Sequence, residues 1–208
     1  LGSQVELRWQ PADLYGLLYC KLGGISDLEA RQHFQSLMGG GWGFPSTPPP
    51  YWMGGTSVMH ADWQQALFGY LHQGGLSPAS LSWFHKLPQD LTDSLGRISP
   101  RSFLLAVRTA AEHYREGFPL SAQALQAGIL AAARKWKQEL NEELPWAHQA
   151  MDLLKEQWVP LQPSEVFALW RKHGFKAPSA ESEGRASTEY DYQSALEGLQ
   201  QLGALSLM

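Results

Sequence analysis

The strongest constraint in this sequence is a run of helical spacing from Ser99 to Leu140, with a serine and a proline at each of its two starts. Ser99 has the side chain to cap a helix. Pro100 suits the first helical position, where its missing N–H costs nothing. Phe103, Leu104, Val107, Ala110, Ala111 and Tyr114 then recur at the spacing of one helix face. Pro119 and Ser121 open a second helix, with a stripe of Leu125, Ile129, Ala132, Ala133, Trp136 and Leu140. Its alanines favour helix and permit close packing.

The same grammar extends outward in both directions. Pro11 starts a helix whose apolar face carries Leu14, Leu17, Leu18 and the stem of Lys21, and Gly23-Gly24 ends it. Ser26 and Glu29 have the spacing of a capping box for a helix reaching about Leu37. Residues 61–72 read as helix, with Trp63, Ala66, Leu67 and Tyr70 on one side. Pro145 opens a helix with Met151, Leu154 and Trp158, closed by Pro160. Pro163 opens another with Val166, Phe167 and Trp170, closed by Gly174. A last helix over 190–202 carries Tyr192, Leu196, Leu199 and Leu202, and Gly203 caps it. Outside these helices, Val5 to Trp9 alternates apolar and polar residues like a short strand, and Leu205 to Met208 reads as another. Residues 74–95 look irregular, anchored by Trp83 and Phe84, and the polar stretch 177–189 reads as mobile. The expected fold class is mainly α, with at most a few short strands.

A length of 208 residues allows one large domain or two to three small ones. With 44% hydrophobic and 17% charged residues, a real core can form. No apolar run approaches the ~20 residues of a membrane span. The single cysteine, Cys20, excludes an internal disulfide framework, so a reducing, cytoplasmic setting is the default. Residues 1–3 (Leu1-Gly2-Ser3) read as the remnant of a removed tag.

The search for chemistry returns little. The sequence has no Gly-x-x-x-x-Gly-Lys-Ser/Thr loop, no Gly-x-Gly-x-x-Gly after a strand and no His-Glu-x-x-His. One cysteine cannot build a thiolate zinc site, and His60 with Asp62 is too small a set for a metal. Cys20 lies on a Leu-rich helix, which suits a buried thiol better than a nucleophile. The chain is therefore expected to hold no catalytic residue, metal or cofactor of its own. Trp42, Phe44, Tyr51 and Trp52 sit in a Gly/Pro-rich loop over 39–59. They suit either a partner-binding surface or a loop pinned to the body by its rings.

One stretch carries more than helix spacing. Ser99-Pro100-Arg101-Ser102-Phe103-Leu104-Leu105-Ala106-Val107-Arg108-Thr109-Ala110-Ala111-Glu112 resembles the start of the lid subdomain of STAND and AAA+ P-loop ATPases, most nearly the origin-recognition/Cdc6-like branch. The resemblance implies that Arg101 is the second sensor, reaching the terminal phosphates of ATP bound by the full-length protein. A guanidinium at a helix start, beside free N–H groups, suits phosphate. The other reading of Arg101 is a solvated first-turn residue. By the same resemblance, residues 4–95 are the end of an ATPase core or an aromatic-rich insertion, 96–143 a helical lid-like subdomain, and 144–208 a winged-helix-like domain. The length of 39–95 and the stop at Met208 depart from the family pattern.

The implied function is a non-catalytic regulatory and protein-interaction region of a larger ATPase, in a bacterial setting by analogy of fold. Charge bears on its partner. Residues 91–140 hold seven Lys/Arg against four Asp/Glu, whereas 141–208 hold five against ten. An acidic end favours a protein over DNA. If the winged helix does bind DNA, Arg171, Lys172 and Lys176 are its candidate contacts. A third reading is a stand-alone helical adaptor that uses the aromatic loop.

Overall fold

The computed structural model describes residues 9–39, 61–113, 119–158, 160–182, 184 and 186–205. Among them are ten helices: α1 (Pro11–Gly23), α2 (Leu28–Gly39), α3 (Ala61–Gln73), α4 (Pro78–Asp90), α5 (Pro100–Glu112), α6 (Ala122–Glu143), α7 (Pro145–Asp152), α8 (Pro163–Lys172), α9 (Pro178–Ser182) and α10 (Glu189–Gln201). The fold is mainly α, and no β-ladder longer than a single bridge occurs among the described residues. The expected strand at Val5 to Trp9 falls outside them except for Trp9, which is irregular. Leu205 is irregular too, and the rest of the expected last strand is not described.

Most helix starts follow from local chemistry. Pro occupies the first turn of α1, α4, α5, α7 and α8, and Ser99 accepts from the Ser102 N–H at 3.4 Å. At α2 the cap is Asp27, not Ser26: its carboxylate accepts from the Ala30 N–H at 2.8 Å. An Asp one residue on from the serine supplies the stronger, charged acceptor at the register the helix uses.

The chain forms two compact units. Residues 1–91 with 98–132 make the first, and 92–97 with 133–208 make the second. The segment 96–143, expected as one lid-like subdomain, is thus divided between them.

The first unit packs α1–α5 and the first half of α6 around Tyr15, Phe68, Phe84 and Phe103. Tyr15 stacks on Phe84 at 4.1 Å and meets the edges of Phe68 and Phe103 at 5.6 and 5.2 Å. Residues 78–90, expected to be irregular, form α4 with a Ser77–Ser80 capping box. Pro88 lies inside that helix and has no N–H for the Phe84 carbonyl one turn back. The Tyr15 hydroxyl donates to that carbonyl instead, at 2.7 Å. Tyr19 and Gln64 fasten α1 to α3 in the same way: Tyr19 donates to the Gln64 carbonyl and the Gln64 amide to the Ala12 carbonyl, each at 2.7 Å. Gly128 lets α6 approach α5 closely, since a Cβ there would lie 2.1 Å from the Ala106 carbonyl oxygen.

In the second unit α7, α8 and α10 enclose Trp170, Phe175, Tyr192, Leu196 and Leu199. Trp170 is fully buried and its indole N–H donates to the Ala150 carbonyl at 3.0 Å. Gly174, at φ +67°, turns the chain so that the Phe175 N–H reaches the Trp170 carbonyl at 2.9 Å, closing α8. Two expectations change here. α7 ends at Asp152, which leaves Trp158 beyond it and 93% exposed. The stretch 177–189 is not uniformly polar and open: Ala177 and Ala180 are buried and α9 forms within it.

Candidate functional site

Arg101 is the second residue of α5 and exposed. The helix holds it there for sequence-local reasons: Ser99 caps, Pro100 fixes the entry, and the opposite face buries Phe103, Ala106, Val107 and Ala110. The result is an exposed guanidinium in the first turn of α5, beside a Pro100 that has no N–H and a Ser102 N–H already taken by Ser99. That arrangement suits an anion. The proposed partner-binding rings Trp42, Phe44, Tyr51 and Trp52, and His60, lie outside the described residues.

Arg171, Lys172 and Lys176 are all exposed, at and just beyond the C-terminus of α8. Cations there also complement the helix dipole. Arg171 is paired with Glu189 at 3.3 Å, which removes part of its charge from any ligand. Helix α10 buries the expected Tyr192, Leu196 and Leu199, and Asp191 as well. Asp191 is 1% exposed and not on offer to a partner. Its carboxylate accepts from Ser179 Oγ at 2.6 Å and from the Thr188 N–H and hydroxyl at 2.8 and 2.7 Å. The exposed residues of α10 include Glu189, Tyr190, Ser194, Glu197 and Gln201, with no Lys or Arg.

Several titratable groups among the described residues have displaced pKa values. Burial raises the Cys20 thiol, which disfavours thiolate. Burial raises the Tyr15 hydroxyl, with Tyr19 adding to it, so Tyr15 is a neutral donor. His72 is 6% exposed, stacks on Phe68 at 5.9 Å, and among the described residues has no hydrogen-bond partner on either ring nitrogen; burial holds it below the usual imidazole range. Asp152 is held below the usual carboxylate range by hydrogen bonds from Lys155 and Lys137, each at 3.0 Å. Among the described residues no three His, Cys, Asp or Glu side chains gather to hold a metal ion. No helix there is long and apolar enough to cross a membrane.

Sequence reasoning missed Asp191 and His72. The Thr188-x-x-Asp191 spacing of a capping box was visible and could have placed Asp191. Nothing local marks His72 as buried without a hydrogen bond among the described residues. Comparison of the chain with protein-family models, with curated proteins and with solved structures finds no match.

Proposed function

We propose that this chain is a regulatory and protein-interaction region of a larger STAND/AAA+-like P-loop ATPase, with Arg101 sensing the nucleotide held by the ATPase core. The observation that carries the reading is the start of α5, where Ser99, Pro100 and Arg101 set an exposed guanidinium on a helix N-terminus whose other face is buried. Its physical merit is that a guanidinium offers a phosphate a planar, bidentate set of charged donors. In this reading ATP binds the larger protein, which is cytoplasmic and bacterial, and residues 144–208 act as its winged-helix-like partner domain.

A protein partner is favoured over DNA by α10, whose exposed residues include two glutamates and no cation. The test is nucleotide affinity and turnover of the larger protein with Arg101→Ala. The reading expects weaker ATP binding or at least about tenfold slower turnover. Unchanged affinity and turnover would remove Arg101 from the site. DNA binding is checked alongside by titrating duplex DNA at two salt concentrations. Affinity that falls steeply with salt and with Arg171→Ala/Lys172→Ala would replace the protein-partner reading.

A further inference from the structure

The second unit holds five lysines, at 135, 137, 155, 172 and 176. Three of them pair with carboxylates: Lys135 with Glu139 at 3.9 Å, and Lys137 and Lys155 with Asp152, each at 3.0 Å. The other two, Lys172 and Lys176, are exposed and have no ion pair among the described residues. Both stand at one place, the end of α8, together with the exposed Arg171. Residues 166–180 contain no Asp or Glu to offset them. The basic charge of an otherwise acidic unit is thus concentrated on one turn of chain.

The fold holds that turn firmly. Trp170 and Phe175 are buried on either side of it, Gly174 turns the backbone at φ +67°, and the Phe175 N–H closes on the Trp170 carbonyl. Phe175 and Ala177 point into the core and leave Lys176 outside. The helix dipole accounts for cations in the last turn, where Arg171 and Lys172 stand. It does not account for Lys176, which lies beyond the helix. Arg171 already takes one carboxylate, from Glu189 at 3.3 Å, and its guanidinium has further donors to give.

We infer that residues 171–176 form the surface on which the second unit receives an acidic segment of a protein partner. The inference rests on the protein-partner reading and names the partner's chemistry. Cations held in place by buried neighbours lose little freedom on binding, which favours carboxylates that arrive in a short run. Duplex DNA fits this surface poorly. Its charges repeat about every 1.7 Å along the axis and continue past so small a patch, at whose edge the Glu189 carboxylate stands.

The test uses the full chain and two labelled probes, an oligoglutamate peptide and a short duplex DNA, with binding read by fluorescence anisotropy at low salt. The peptide should bind, and Lys172→Glu/Lys176→Glu should weaken it at least about fivefold. Lys172→Gln/Lys176→Gln should give a smaller loss in the same direction. The same charge reversal at two paired lysines, Lys86→Glu/Lys135→Glu, should leave affinity within about twofold, which separates this patch from net charge. Circular dichroism checks that each variant is folded. Absence of peptide binding, or equal losses in the patch and control variants, overturns the inference and leaves the protein-partner reading in place. Tighter binding of the duplex through Lys172 and Lys176 overturns both.

Discussion

Replacing Tyr15 by Phe removes one hydroxyl from the core of the first unit and leaves the ring to stack on Phe84 as before. The hydroxyl donates at 2.7 Å to the Phe84 carbonyl, whose helical donor would have been residue 88, a proline. The variant therefore strands a buried acceptor, at a cost of about 1–3 kcal/mol. Pro88→Ala restores an N–H at the right place in the helix. In that background the carbonyl keeps a donor, and Tyr15→Phe should cost only about 0.5–1 kcal/mol, the usual net worth of a hydrogen bond. The expected coupling between the two positions is thus about 1–2 kcal/mol. Cost from the buried Pro88 ring itself cancels in the cycle. The assay is urea unfolding of the four proteins by circular dichroism, with amide exchange of α4 peptides isolating the first unit. Equal costs of Tyr15→Phe in both backgrounds, within about 0.4 kcal/mol, would refute the idea that Tyr15 compensates for Pro88.

Gly128→Ala should destabilise the first unit by about 2 kcal/mol despite alanine's better helix propensity, because the new methyl meets the Ala106 backbone, which has no rotamer to yield. Thermal unfolding should show the loss, and Gly75→Ala, which meets nothing within 4 Å, should be neutral. Asp191→Ala removes the acceptor for Ser179 and Thr188 and should lower the stability of the second unit by about 2 kcal/mol in urea titrations, with Asp191→Asn less harmful. His72 gives a pH dependence. Its folded-state pKa is lowered by burial, so the unfolded chain takes up the proton first. Its contribution is intact above the ordinary imidazole value of about 6.5 and is lost as pH falls from there through the lowered folded value. Urea midpoints between pH 7.5 and pH 5 should decline, and His72→Met should flatten that decline.

How much of this was legible in advance differs by element. The start of α5 was readable because capping acts over three residues: Ser99 and Ser102 meet wherever that helix goes. The same holds for Pro11, Pro145 and Pro163. Helix α4 carries an identical Ser77-Pro78 start, yet residues 74–95 read as irregular. The donor that makes Pro88 tolerable comes from Tyr15, far away in sequence. Trp158 failed in the other direction, since its helical spacing continued past the point where α7 stops and left the ring in solvent.

The place of Arg101 in a first turn was visible from its neighbours, because that is a local property, whereas its sensing role comes from the resemblance alone. The sequence by itself determined where most helices begin and that the chain would be helical, since spacing, caps and prolines act within one or two turns. Only the tertiary structure decided that Asp191 is buried and that, among the described residues, neither ring nitrogen of His72 finds a hydrogen bond. Each of those depends on groups brought together from distant parts of the chain. A buried polar atom must find its partner wherever the fold supplies one, and no local pattern records that choice.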